Sequence, residues 1–174
     1  MSYNIHPIFV HFPIALLCVY SIVAIIPFKK WFPQISWKQI ERVLLVIGVL
    51  GAFVALATGE TAEHLTQPDR QLVEMHSLFA GISTWVYGIL LIAEIFVIIT
   101  PFLESNQFLQ RAPSVFKKVI ARLGAFFTQR VVLGVLAFIG FIAISITGLL
   151  GGVLVYGLTA DPFAGIVLKM LGLN

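Results

Sequence analysis

The chain has 174 residues, 59% of them hydrophobic and 11% charged, with a net charge of +3 and a mean hydropathy of +1.00. A water-soluble domain carries about 25% charged residues, so this composition excludes an ordinary soluble fold and reads as a single membrane domain over 1–174. The one cysteine, Cys18, lies inside an apolar run, which excludes an intramolecular disulfide, and no nucleic-acid partner is needed to explain so small a positive charge.

A spanning helix needs roughly 20 apolar residues, and four stretches meet that length. The first span is predicted at about 7–28. It opens on Asn4-Ile5-His6-Pro7-Ile8-Phe9-Val10-His11-Phe12-Pro13, with Pro7 suited to a helix start and Pro13 able to kink the first turns. The run is too long for a signal-peptide core, and no Lys or Arg precedes it, so the span is expected to stay in the mature protein. The second span is predicted at about 40–58. The third, at about 77–102, follows Pro68-Asp69, which reads as a helix start. The fourth, at about 131–158, is rich in glycine. Gly148 and Gly152 are four apart, a spacing that lets helices approach closely.

Two shorter segments complete the chain. Between spans three and four, Val115, Phe116, Val119, Ile120, Leu123, Phe126 and Phe127 form an apolar stripe opposite Lys117, Lys118 and Arg122. This predicts an interfacial helix at about 114–127 beside anionic lipid. The tail after Asp161-Pro162 is too short to span and predicts a short interfacial C-terminal helix. The fold class is therefore all-α: a polytopic four-transmembrane-helix bundle with two interfacial helices.

Nine of the eleven Lys and Arg residues fall in the first and third connections. The positive-inside rule then puts both termini, and the connection between spans two and three, outside a bacterial inner membrane. That outer connection carries Glu60, Glu63, Asp69 and Glu74 against Arg70, a net charge of −3.

This topology gathers all four histidines at the outer end: His6 and His11 at the start of span one, His64 in the connection and His76 at the mouth of span three. An ionisable side chain within a membrane helix is a candidate for function, because leaving it unpaired is costly. His11 and His76 are expected to face the interior at similar depth and to ligate haem b, with His6 as a third candidate. His6 and His11 are five residues apart, about 140° around a helix, so they share one ligand only if His6 stays outside the helix and bends back. The alternative is a non-haem site for Zn, Fe or Cu made from His6, His11, His64, His76, Glu60 and Glu63, since oxygen and nitrogen donors suit these ions. The scarcity of basic residues outside, which would pair with haem propionates, weighs against haem; the acidic rim favours the bare ion. A cofactor-free structural or assembly subunit is the remaining alternative. No HExxH, CxxCH, phosphate loop or nucleophile triad is present, and no enzymatic activity can be assigned. Glu94, in the inner half of span three, is expected to bond Ser145 or Thr147, to snorkel toward Arg130, or to carry protons.

The residues His6-Pro7-x-x-Val10-His11-Phe12-Pro13-Ile14-Ala15-Leu16, with Thr147-Gly148-x-x-Gly151-Gly152-x-Leu154-Val155-Tyr156-Gly157 near the end, resemble the bacterial membrane family catalogued as domain of unknown function 2231. The resemblance covers essentially the whole chain. It implies a four-span module, with His6, His11 and His76 as the family's histidines. Relatives fused to Rieske or cytochrome c domains imply electron transfer, with a redox protein or quinone as partner besides the lipid bilayer and a second copy of the chain.

Overall fold

The computed structural model describes residues 6–66, 69–105 and 113–173, without the side chains of 7–8, 60–66, 104 and 160. Six α-helices and two short 3-10 turns make up the described residues, which contain no strand. The helices are α1 (His6–Ile25), α2 (Trp37–Thr66), α3 (Arg70–Ser105), α4 (Ser114–Phe127), α5 (Arg130–Tyr156) and α6 (Ala164–Met170). α1, α2, α3 and α5 form the bundle, each touching its neighbours in the cyclic order α1, α2, α3, α5.

Three segments are long and apolar enough to cross a membrane: Trp37–Gly59, Arg70–Leu103 and Arg130–Thr159. The apolar part of α1, Phe9–Ile25, is shorter, so of the four expected spans these three meet the length criterion. α2 and α3 outrun their expected spans because polar turns extend them, whereas α1 stops at Ile25 and α5 at Tyr156, short of the expected 28 and 158. Asp69 starts α3 by accepting the Leu72 backbone N–H through its carboxylate at 3.0 Å, which satisfies one of the orphan donors of a first turn.

The pattern of burial is inverted relative to a soluble protein. Large apolar side chains such as Phe53, Phe138 and Trp85 point outward, Trp85 with 75% of its surface exposed, while Ser21, Ser83, Thr84, Glu94 and Thr147 are buried. In water such an apolar exterior would be unfavourable by roughly 25 cal/mol per Å²; hydrocarbon removes that cost. The arrangement is compatible with a multi-pass membrane protein.

The bundle core is built from Leu17, Tyr20, Leu45, Val49, Tyr87, Leu90, Ala137 and Ile144. Glycines set the closest approaches. A methyl group at position 140 would lie 2.8 Å from Cζ of Tyr87, and one at 48 would lie 2.6 Å from Leu17. Tyr87 uses the space at Gly140 to reach across to α1: Ser21 Oγ and Tyr87 Oη are 2.8 Å apart, and the tyrosine donates to the Leu17 carbonyl at 3.3 Å. Tyr20 meets the same ring edge-on, centroids 6.0 Å apart.

α4 spans the expected residues and packs back on α3. Gly124 is the contact point, where a Cβ would lie 3.1 Å from that of Phe96. Its stripe is split: Ile120 and Gly124 are buried, while Phe116, Val119 and Leu123 stay exposed. α6 folds over the end of the bundle that holds the histidines. Ala164 and Leu168 pack on Leu150 and Val153 of α5, with Leu72, Met75 and Phe79 of α3 alongside.

A candidate histidine site at one end of the bundle

His6 is the first residue of α1 and His76 lies in the second turn of α3. Each ring is tied by Nδ1 to a neighbouring helix. His6 Nδ1 is 2.9 Å from Thr58 Oγ1. The Thr58 hydroxyl is also within reach of the carbonyls of Val54 and Ala55, at 3.1 and 3.0 Å; when its single proton goes to either, its oxygen accepts from the imidazole. His76 Nδ1 is 3.1 Å from the Thr147 carbonyl, which can only accept. The neutral His76 ring is therefore an Nδ1–H tautomer with its lone pair on Nε2, and the His6 ring matches it when Thr58 donates to a backbone carbonyl.

Glycines seat both rings. A Cβ at Gly59 would lie 3.5 Å from Cε1 of His6, and one at Gly151 would lie 3.2 Å from Cε1 of His76. The two imidazoles are within electrostatic reach of each other. Burial pushes the His6 pKa below its ordinary value of 6.5, opposed by a hydrogen bond to the Ala55 carbonyl. Desolvation disfavours the charged form, so neutral imidazole, the form that ligates a metal, is what this end favours.

His11 is placed differently. It is exposed on α1, and His6 rather than His11 approaches His76. The reason is the helix itself. His6 lies inside α1 instead of bending back from outside it, so five residues of helix turn the two side chains well apart. The side chains of Glu60, Glu63 and His64 lie outside the described residues, although their backbone continues α2. Glu74 is exposed and paired with Arg70 at 2.9 Å. Among the described residues, no three His, Cys, Asp or Glu side chains gather to hold a metal ion.

Thr58, Gly59, Thr147 and Gly151 are the neighbours that reading the histidines alone overlooks. A signal existed. Thr147 and Gly151 belong to the glycine-rich stretch of span four, and it is this stretch that meets His76. The N-terminal stretch closes on the same region, with Pro13 against Gly51 and Ile14 against Gly148.

Glu94 sits at the opposite end of the bundle and is 4% exposed. Lys38 Nζ donates to its Oε1 and Arg42 Nε donates to Oε2 at 3.1 Å. Lys38 also reaches Glu41 at 3.4 Å. This differs from the expected partners Ser145, Thr147 and Arg130. α3 and α5 run antiparallel, in a register set by Tyr87 on Gly140 and His76 on Thr147. Glu94 then falls level with the first turns of α5, roughly three turns from Ser145, which instead meets Cys18. Lys38 and Arg42, four apart on α2, present one face to the carboxylate.

No protein-family model matches the chain, and neither a curated protein nor a solved structure matches it.

Proposed function

We propose that the chain is a four-span inner-membrane electron-transfer protein whose His6 and His76 hold a haem b near the outer face. The observation that carries this reading is the pair of partly buried imidazoles on different helices, each engaged through Nδ1 so that Nε2 is the nitrogen left to ligate. Two such nitrogens from different helices would suffice to hold a haem iron, whereas a non-haem ion takes three or four protein ligands. The donor chemistry therefore fits haem. The residues would act as follows: His6 and His76 ligate, Thr58 and the Thr147 carbonyl orient the rings and raise the basicity of Nε2, and Gly59 and Gly151 keep room for them. When bound, the haem supplies reversible one-electron chemistry. The resemblance to the family with fused redox relatives supports the same class of function, with a redox protein or quinone as partner.

The four-span reading takes α1 as the additional crossing. Its 20 residues rise about 30 Å, the thickness of the hydrocarbon core. The clustering of Lys and Arg at the opposite end supports placing the histidine end, and both termini, outside.

The test is the absorption spectrum of protein purified from haem-replete cells, with metal analysis of the same sample. A Soret band is expected, lost in His6→Ala and in His76→Ala and retained in His11→Ala. A colourless, metal-free protein overturns the reading. Stoichiometric Zn, Fe or Cu without a Soret band replaces haem with a bare metal centre.

A further inference from the structure

Away from the histidines, a cleft of about 550 Å³ opens at the end of the bundle that holds Glu94. It lies between the last turn of α1, the 3-10 turn Phe28–Lys30, the start of α2 and the start of α5. That volume falls in the ~300–1,000 Å³ range of small-ligand sites. Four cations line it, and with three of them, Lys29, Lys30 and Arg130, no carboxylate among the described residues pairs. Lys38 and Glu41 also line the cleft, but they are engaged with each other, and Lys38 with Glu94 as well. Glu41 is thus the one acid in the lining and its charge is already offset. Apart from Thr128 the rest of the lining is apolar, including Val23, Ile26 and Leu133.

Aromatic rings mark the depth. Phe28 stacks on Trp37 with centroids 5.1 Å apart and meets Trp31 edge-on at 5.8 Å. Trp31 and Phe32 are exposed beside them. Aromatic side chains of this kind settle at the level of lipid headgroups. Anionic charge is therefore demanded at the rim and hydrocarbon at the floor, within one cleft.

We infer that this cleft binds an anionic phospholipid, with the phosphodiester headgroup among Lys29, Lys30 and Arg130 and the top of an acyl chain against Val23, Ile26 and Leu133. The inference requires the membrane reading but not the haem. A free phosphate satisfies the rim and leaves the apolar wall facing water. A zwitterionic lipid covers the wall and brings a cation among the three cations. Only a lipid of net negative charge answers both.

The experiment is native mass spectrometry of the detergent-purified full chain with added phosphatidylglycerol, phosphatidylcholine or inorganic phosphate. Phosphatidylglycerol adducts are expected to survive collisional activation that strips phosphatidylcholine. The triple variant Lys29→Gln, Lys30→Gln, Arg130→Gln is expected to lower that retention about tenfold or more, consistent with three lost headgroup contacts. Lys169→Gln, which removes charge from α6 at the opposite end of the bundle, is expected to leave retention unchanged. Equal retention of the two lipids, an equal loss in the α6 variant, or displacement by millimolar phosphate overturns the proposal. Photoactivatable phosphatidylglycerol on the unmodified protein gives a readout that needs no variant to fold. Adducts concentrated in 23–30 and 130–133 support the site, and adducts spread evenly along the bundle overturn it.

Discussion

The two ends of the bundle solve the same problem in opposite ways. Each brings ionisable side chains among apolar helices, where an unpaired charge is costly. At the basic end the buried Glu94 is held by cations, Lys38 and Arg42, each donating to one of its oxygens. At the histidine end the two partly buried imidazoles are held by neutral partners: a threonine hydroxyl for His6 and a backbone carbonyl for His76. The contrast teaches where chemistry can happen. A carboxylate closed by two cations has its coordination capacity largely used and acts as a clamp between α2 and α3. An imidazole that spends one nitrogen on orientation still carries a basic nitrogen for a ligand.

The largest expected effect comes from opening the clamp on its cationic side. Lys38→Ala with Arg42→Ala leaves the Glu94 carboxylate buried without its partners, at a cost of about 3–5 kcal/mol. It should be read as a steep fall in Tm of the purified protein. Glu94→Gln should cost clearly less, because the Lys38 and Arg42 side chains are 46% and 36% exposed and can turn to solvent. Equal losses in the two variants would show that the clamp is not asymmetric in burial.

Gly140→Ala ranks next. The new methyl would press on the Tyr87 ring, which is completely buried and has no flexible end to move aside. Overpacking of this kind costs about 1–3 kcal/mol, measurable as lost helical signal at lower temperature. Because Tyr87 lies between the two ends, the change should leave the spectral properties of any His6–His76 centre unaltered in the fraction that folds.

The histidine end also differs in its response to acid. With its folded pKa below 6.5, His6 binds fewer protons in the folded state than in the unfolded state between the two values. Stability therefore rises with pH across that interval. The contribution is complete above pH 6.5, is lost as pH falls toward the folded pKa, and stops changing below it. Thermal unfolding of cofactor-free protein from pH 7.5 downward should show this loss, and His6→Gln should flatten it. A profile identical in the variant would remove His6 as the cause.

The smallest effect belongs to the exposed Arg70–Glu74 ion pair at the histidine end. Arg70→Ala removes its contact with Glu74, four residues on along the same helix face, and should shift stability by only about 0.3–0.5 kcal/mol. A larger change in Tm would mean that Arg70 does more than decorate the rim.

Much of the architecture was legible in one dimension. The apolar runs, the basic connections and the amphipathic stripe of α4 all follow from local composition, and α4 spans the expected 114–127. The site was legible only in part. His6 and His76 stand out as ionisable residues next to apolar runs, but so does His11, whose place one turn into the span pointed inward and which the structure leaves exposed. Which of the two α1 histidines turns inward depended on whether His6 is helical. Glu94 shows the same limit. Its burial follows from its place in an apolar run, but its partners lie more than fifty residues away in sequence, on a helix whose first turn begins within what reads as a loop.

Composition and periodicity are enough to establish a helical membrane-type chain with its cations gathered at one end, because each helix satisfies its own backbone and the preference for lipid or water is a property of single side chains. Which groups meet is another matter. The His6–Thr58, His76–Thr147 and Glu94–Lys38–Arg42 contacts depend on the rotation and register of neighbouring helices. Those are set by where glycines such as Gly48, Gly140 and Gly151 let side chains through, and only the packed bundle specifies them.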